Sequence, residues 1–162
     1  MVIHSQPRFR LRRITTLLAA GTALLVSSAP AASAASDAAT PKTQCPHRSG
    51  RVACVDQDNQ RMWVQEDSKV IFGPVLVRTG HKGMHTPNGS FRIYVKHEWP
   101  SSPLLPYSQF FHHGDALHGS RDDLHKGKSR GCVNLSVANA RHLWGTLAVG
   151  DLVYIWGHKP GT

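Results

Sequence analysis

The chain has 162 residues, 40% of them apolar and 18% charged, with a formal net charge of +9 and three cysteines. That suits one small domain with its own hydrophobic core and leaves little room for a second. Nineteen lysines and arginines against ten acids favour a polyanionic surface, such as an envelope polymer. They are scattered rather than interleaved with stacking aromatics, which argues against nucleic acid as a partner.

The first stretch places Arg8, Arg10, Arg12 and Arg13 before an apolar run from Ile14 to Val26, then small residues and an A-x-A pattern at Ala32 to Ala34. This is the grammar of a secretory signal peptide over 1–34. The apolar run is shorter than the roughly 20 residues of a spanning helix, so no stable membrane anchor is expected. Removing four arginines and no acids leaves a mature chain near +5, expected outside the cell, in the extracellular space or the wall. Residues 35–44, rich in Ala, Ser, Thr and Pro, read as a flexible lead-in, and the domain as 45–162.

Cys45 and Cys54 are nine positions apart, with Pro46 and Gly50 between them to turn the chain, a spacing that permits a disulfide loop in an oxidising compartment. Next come three β-prone segments, RVACVD, QRMWVQ and KVIFGPVLVRTG, the third interrupted by Gly73-Pro74, where a bulge or an edge is expected. GSFRIYVKHEW alternates Phe91, Ile93 and Val95 against Arg92, Tyr94 and Lys96, the pattern of a half-buried strand, and LPYSQFFHH is a further apolar run. Ser136 is a plausible N-cap for one helix, with Val137, Ala140, Trp144 and Leu147 spaced by three and four. VGDLVYIWG is apolar on both faces, as a central closing strand would be. The expected fold is mainly β and sandwich-like, with one helix directly after the third cysteine.

That cysteine, Cys132, has no partner, which makes it a candidate reactive thiol beside the blander reading of an inert buried cysteine. A catalytic thiol needs a base or positive charge nearby, and His118 and Arg130 supply them. His118 precedes Cys132 by fourteen positions, a spacing that lets two neighbouring β-segments and their loop bring imidazole and thiol together. Gly131 allows a sharp turn that aims the N–H groups of Gly131 and Cys132 at a developing oxyanion. His112, His113, His118, His125 and Cys132 form a dense group, but their spacing matches no familiar metal motif, so no metal is expected. His112, His113 and His125 read as solvated loop residues.

Three ordered segments, HTPNGSFRIYV (85–95), LPYSQFFHHGDALHG (105–119) and SRGCVNLS (129–136), resemble the YkuD-like catalytic domain of the L,D-transpeptidases of peptidoglycan, over about 51–156. Two departures stand out: Arg130 replaces the usual His, and the loop from His118 to Ser129 is a little short. The resemblance implies a cofactor-free transpeptidase acting on peptidoglycan stem peptides, sensitive to carbapenems, with Cys132 as nucleophile and His118 as base. Gly131 and Cys132 N–H groups would hold the oxyanion, and Gly119 or Ser120 would orient His118. Ser129 and Asn134 would shape the loop, Tyr107 would line the donor groove, and Arg130 would pair with a stem carboxylate. It implies 3-3 cross-links with release of D-alanine, or L,D-carboxypeptidase activity if water is the acceptor. A non-catalytic wall-binding module and a metal-dependent hydrolase are the alternatives from other classes.

Overall fold

The computed structural model describes residues 44–99, 101 and 103–162. The leader over 1–34 and all but the last residue of the lead-in lie outside the described residues. Nine strands and one helix follow in the order β1 (Arg51–Asp56), β2 (Arg61–Glu66), β3 (Lys69–Leu76), β4 (Gly89–Arg92), β5 (Val95–His97), β6 (Ser108–His112), β7 (Asp115–Ser120), β8 (Val133–Ser136), α1 (Val137–Thr146) and β9 (Leu152–Trp156). They make a five-stranded sheet in the order β3-β2-β1-β9-β4 and a four-stranded sheet in the order β5-β6-β7-β8.

Alternation along the strands builds the core between the sheets. Ala53 and Val55 of β1, Met62 and Val64 of β2, and Val153 and Ile155 of β9 face Phe111, Leu117, Val133 and Leu135 of the other sheet. The intervening residues Val52, Cys54, Trp63, Leu152 and Trp156 form a second apolar cluster with Cys45. Both faces of β1 and β9 are therefore covered, which is why β9 carries no polar alternation; it lies between β1 and β4, as expected of a closing strand. The Cys45–Cys54 disulfide forms and ties the N-terminal segment into that second cluster, where Gln65 Nε2 also donates to Pro46 O at 2.8 Å. Gly73-Pro74 falls in β3, which is an edge strand and has shifted register against β2.

Two local expectations need correction. GSFRIYVKHEW is not one strand: β4 pairs with β9 and β5 with β6, in different sheets. Between them the backbone changes partner, Ile93 N donating to Asp151 O (3.0 Å) and Tyr94 N to Phe110 O (2.9 Å). Ile93 keeps the alternation because it is buried between the sheets at the crossing, so side-chain period alone does not reveal the break. The helix is where it was expected, capped by Ser136, whose hydroxyl accepts from Asn139 N at 3.2 Å. Its buried stripe, however, is Ala140, Leu143 and the C-cap Leu147. Trp144 is half-buried and carries the Lys96 ammonium over its ring, 4.4 Å from the centroid.

The disulfide closes a short loop on the cluster away from the sheet that carries His118. Reducing it is expected to cost about 2–3 kcal/mol of stability by the chain-entropy relation while leaving the chemistry of Cys132 unchanged. Thermal unfolding and Cys132 alkylation, each measured with and without reductant, check this. An unchanged unfolding midpoint, or loss of alkylation from a still-folded protein, would contradict it.

Candidate active site

Strands β7 and β8 are parallel neighbours, with His118 opposite Asn134 and Leu117 opposite Val133. A parallel pair requires a crossover of about a dozen residues, and Arg121 to Cys132 supplies it. Cys132 is its last residue, placed one position before β8, so thiol and imidazole line the same cavity of 460 Å³. Arg78, Arg121, Lys128 and Arg130 also line that cavity, facing one carboxylate, Asp122.

The turn that presents the thiol is held at three of its carbonyls. Ser129 O accepts from His81 Nδ1 (2.7 Å), Gly131 O from Thr86 Oγ1 (2.7 Å), and Cys132 O from Ser129 Oγ (2.6 Å). Ser129 thus shapes the loop, as its place in the motif implied. Gly131 has φ of +121°, and a Cβ there would sit 2.2 Å from Asp115 Oδ1, so no larger residue fits without moving the carboxylate or the turn. Gly119 is tightly packed for a different reason: a Cβ would come 3.1 Å from Val137 Cα, so the start of α1 would have to give by a few tenths of an ångström.

His118 is buried and both ring nitrogens are engaged. Nδ1 donates to Gly119 O at 2.8 Å, and Nε2 lies 2.7 Å from Asn134 Nδ2. Burial holds its pKa below the ordinary value, opposed by the Gly119 carbonyl and reinforced by the charge of Arg78. The Cys132 thiol is pushed up, first by burial and further by the nearby Asp115 carboxylate, with the Ala116 backbone acting the other way. At rest the site therefore favours neutral thiol and neutral imidazole, and the imidazole is hydrogen-bonded to its scaffold rather than to the thiol.

Gly119 orients His118 through its carbonyl, but Ser120 does not take part: its hydroxyl accepts from Arg78 Nη2 (3.3 Å) and Asp122 N (3.2 Å). Asn134, expected only to shape the loop, bonds the imidazole directly. Arg130 lines the cavity and is exposed. Tyr107 packs against the main core while its neighbours Leu105 and Pro106 line the cavity. His112 is not a free loop residue, since it ends β6 and bonds Asp115 Oδ2 at 3.3 Å; His113 and His125 are exposed. Among the described residues no group of three or more His, Cys, Asp or Glu is arranged to hold a metal. Arg78 is the functional-site residue that sequence reasoning missed. It follows an edge strand and reads locally as a surface arginine, yet it is 5% exposed.

Residues 50–155 match the YkuD family, the L,D-transpeptidase catalytic domain. A solved L,D-transpeptidase (Yku) from Stackebrandtia nassauensis is 38% identical, with a TM-score of 0.68 over 78% of this chain and 64% of that one. The L,D-transpeptidase from Xylanimonas cellulosilytica is 27% identical, with a TM-score of 0.61 over 69% and 63%. The Ldtfm–avibactam carbamoyl enzyme is 26% identical, with a TM-score of 0.58 over 68% and 50%. This chain thus spans less than two thirds of the length of each. No curated protein gives a significant match.

Burial of the site makes stability pH-dependent in two windows. With its folded pKa lowered, His118 contributes stability that is present above its ordinary value of 6.5 and lost as pH falls through the folded value. With its folded pKa raised, Cys132 contributes stability that is present below 9.0 and lost as pH rises through the folded value. Denaturant unfolding across pH is expected to show His118→Gln flattening the acid limb and Cys132→Ala the alkaline limb. Limbs identical to wild type in both variants would contradict this. Separately, Gly131→Ala is expected to destabilise the domain by about 1–3 kcal/mol through backbone strain and to slow alkylation of Cys132. Wild-type values in both measurements would contradict the close approach of Asp115.

Proposed function

The chain belongs to the YkuD family of L,D-transpeptidase catalytic domains, and on that premise we propose that it is an exported cysteine transpeptidase acting on peptidoglycan stem peptides. Cys132 Sγ attacks the carbonyl of the third, diamino-acid residue of a tetrapeptide stem while its proton passes to His118. The oxyanion is received by the N–H groups of Gly131 and Cys132. His118 returns the proton to the departing D-alanine amine, leaving a thioester on Cys132. The side-chain amine of a second stem then attacks the thioester, giving a 3-3 cross-link; attack by water gives L,D-carboxypeptidase turnover.

The observation that carries this reading is the convergence of His118, on β7, and Cys132, directly before the parallel β8, on one cavity whose charged lining is four cations to one carboxylate. Arg121, Lys128 and Arg130 suit a donor rich in carboxylates, with Arg130 in the position usually held by His. Because thiol and imidazole rest uncharged, proton transfer accompanies attack rather than preceding it. Export is supported by the arginine-then-apolar leader ending at Ala34. The Ldtfm–avibactam carbamoyl enzyme is an inhibitor adduct on a structural relative, and together with the family membership it supports the expectation that carbapenems acylate Cys132 here.

Intact-mass analysis after incubation with a carbapenem tests the assignment. Wild type is expected to gain one covalent adduct, unaffected by chelator, and Cys132→Ala none. His118→Ala is expected to acylate roughly 10²- to 10⁴-fold more slowly, the usual contribution of a positioned acid–base group. An adduct on Cys132→Ala would overturn the nucleophile assignment, and no adduct on folded wild type would overturn it in favour of a wall-binding module.

A further inference from the structure

Arg78 spends its guanidinium on the site. Nε donates to Asn134 Oδ1 at 3.2 Å, Nη1 to the carbonyls of Asp123 (3.3 Å) and Lys126 (2.7 Å), and Nη2 to Ser120 Oγ (3.3 Å) and Asp122 Oδ2 (3.2 Å). Its backbone pairs with that of Asn134 in both directions, each bond 2.9 Å long. The one carboxylate it meets, on Asp122, is 75% exposed. A buried cation with so exposed a counter-ion is weak evidence for stability, and its contacts suggest a different use.

Hydrogen-bond capacity fixes every proton along the chain from Arg78 to the base. A guanidinium only donates, so the Asn134 atom facing Nε is the carbonyl oxygen. The other end of that amide, 2.7 Å from His118 Nε2, is then the NH₂ group, which also only donates. On the far side of the ring Nδ1 faces the Gly119 carbonyl, which only accepts. Nδ1 therefore carries the ring's hydrogen and Nε2 presents a lone pair.

We propose that Arg78 is a positioning residue which, through Asn134, locks His118 as the neutral Nδ1–H tautomer and keeps the resting Cys132–His118 pair as thiol and imidazole. The one basic lone pair on the ring is held by an amide N–H that cannot turn over while Arg78 holds its oxygen. Moving the thiol proton to Nε2 breaks that hydrogen bond: S–H is lost, Nε2–H forms, and the sulfur pair goes into the bond to the acyl carbon. Ionisation is thereby tied to acylation, which protects an exported thiol from adventitious electrophiles.

For the imidazole, the surrounding cations act in the same direction, disfavouring its protonation. Arg121, Lys128 and Arg130 line the cavity beside the imidazole. Lys159, whose own pKa is lowered by burial and then by Arg78, bonds Thr79 O next to it. Against these stand Asp122, bonded to Arg78, and Asp115, beside Gly131. The lowered His118 and raised Cys132 pKa values agree with the lock.

The inference rests on His118 being the base of the proposed function, but its test does not depend on turnover. The protein labelled with ¹⁵N-histidine is titrated by two-bond ¹H–¹⁵N correlation, with the His118 ring assigned by His118→Gln. Wild type is expected to show the Nδ1–H tautomer, neutral at pH 7 and titrating below the ordinary value. Asn134→Asp places an acceptor against Nε2 and is expected to raise the midpoint by at least one unit, a tenfold change in the equilibrium. Arg78→Gln supplies an amide that can also accept, so Asn134 can turn over and present its oxygen to Nε2; with Nδ1–H still held by the Gly119 carbonyl, the doubly protonated ring is favoured and the midpoint is expected to rise.

An Nε2–H tautomer or an imidazolium in wild type at pH 7 overturns the proposal, as does a wild-type titration in folded Arg78→Gln. Should that variant not fold, an unshifted midpoint in Asn134→Asp overturns it. In each case carbapenem acylation of Cys132 remains a separate readout, so failure of the lock is distinguishable from failure of the transpeptidase assignment.

Discussion

Parallel pairing of β7 with β8 is the constraint from which the site follows. Antiparallel neighbours joined by a tight turn would place His118 and a residue of the next strand at a distance set by the hairpin. The parallel pair instead sets His118 beside Asn134 and leaves the last crossover residue, Cys132, at the mouth. Parallel crossovers commonly fold as helices. Here Arg121 to Cys132 contains none among the described residues, so other contacts must order it. Arg78 does so from within, through Asp122, Asp123 and Lys126, and the His81, Thr86 and Ser129 side chains fix the turn at the end.

These contacts also meet the cost of placing polar groups in a core. His118, Asn134, Arg78 and Ser129 are all buried, and an unpaired polar group there would cost about 1–3 kcal/mol. Each has partners, and the partners are shared: Asn134 serves Arg78 and His118, and Thr86 serves Gly80 and Gly131. Shared partners make the network stiff and leave few independent ways to move one member. The apolar layer beneath, Leu117, Val133 and Leu135 against Val153 and Ile155, provides the rigid floor on which it stands. Cys45–Cys54 and the tryptophan cluster cover the opposite face of the first sheet and touch none of this chemistry.

Much of the architecture was legible locally. Cys45 and Cys54 were paired by spacing and Cys132 was left over; Ser136 announced the helix; Gly73-Pro74 marked the edge strand. The ordered motifs around His85, His118 and Cys132 carried the family resemblance. What was missed is long-range. Arg78 and Asn134 are 56 positions apart, and nothing near Arg78 distinguishes an arginine that turns inward from one that points to water. Ile93 and Val95 continue one alternation although the backbone has changed sheets between them, because both positions remain at least half-buried. Leu143, rather than Trp144, enters the core with Ala140 and Leu147, while the half-buried Trp144 carries Lys96 over its indole face. Ser120 was a reasonable orienting hydroxyl until the guanidinium claimed it.

The central claim is that Cys132 forms a thioester with the stem peptide, using His118 as the proton carrier. The most direct test is intact mass and amino-acid release after mixing the protein with a defined tetrapeptide stem in the absence of an amine acceptor. The predicted result is a species on Cys132 heavier by the stem less its terminal D-alanine, with one equivalent of D-alanine freed and both absent from Cys132→Ala. Release of D-alanine by Cys132→Ala, or neither product from folded wild type, would contradict it.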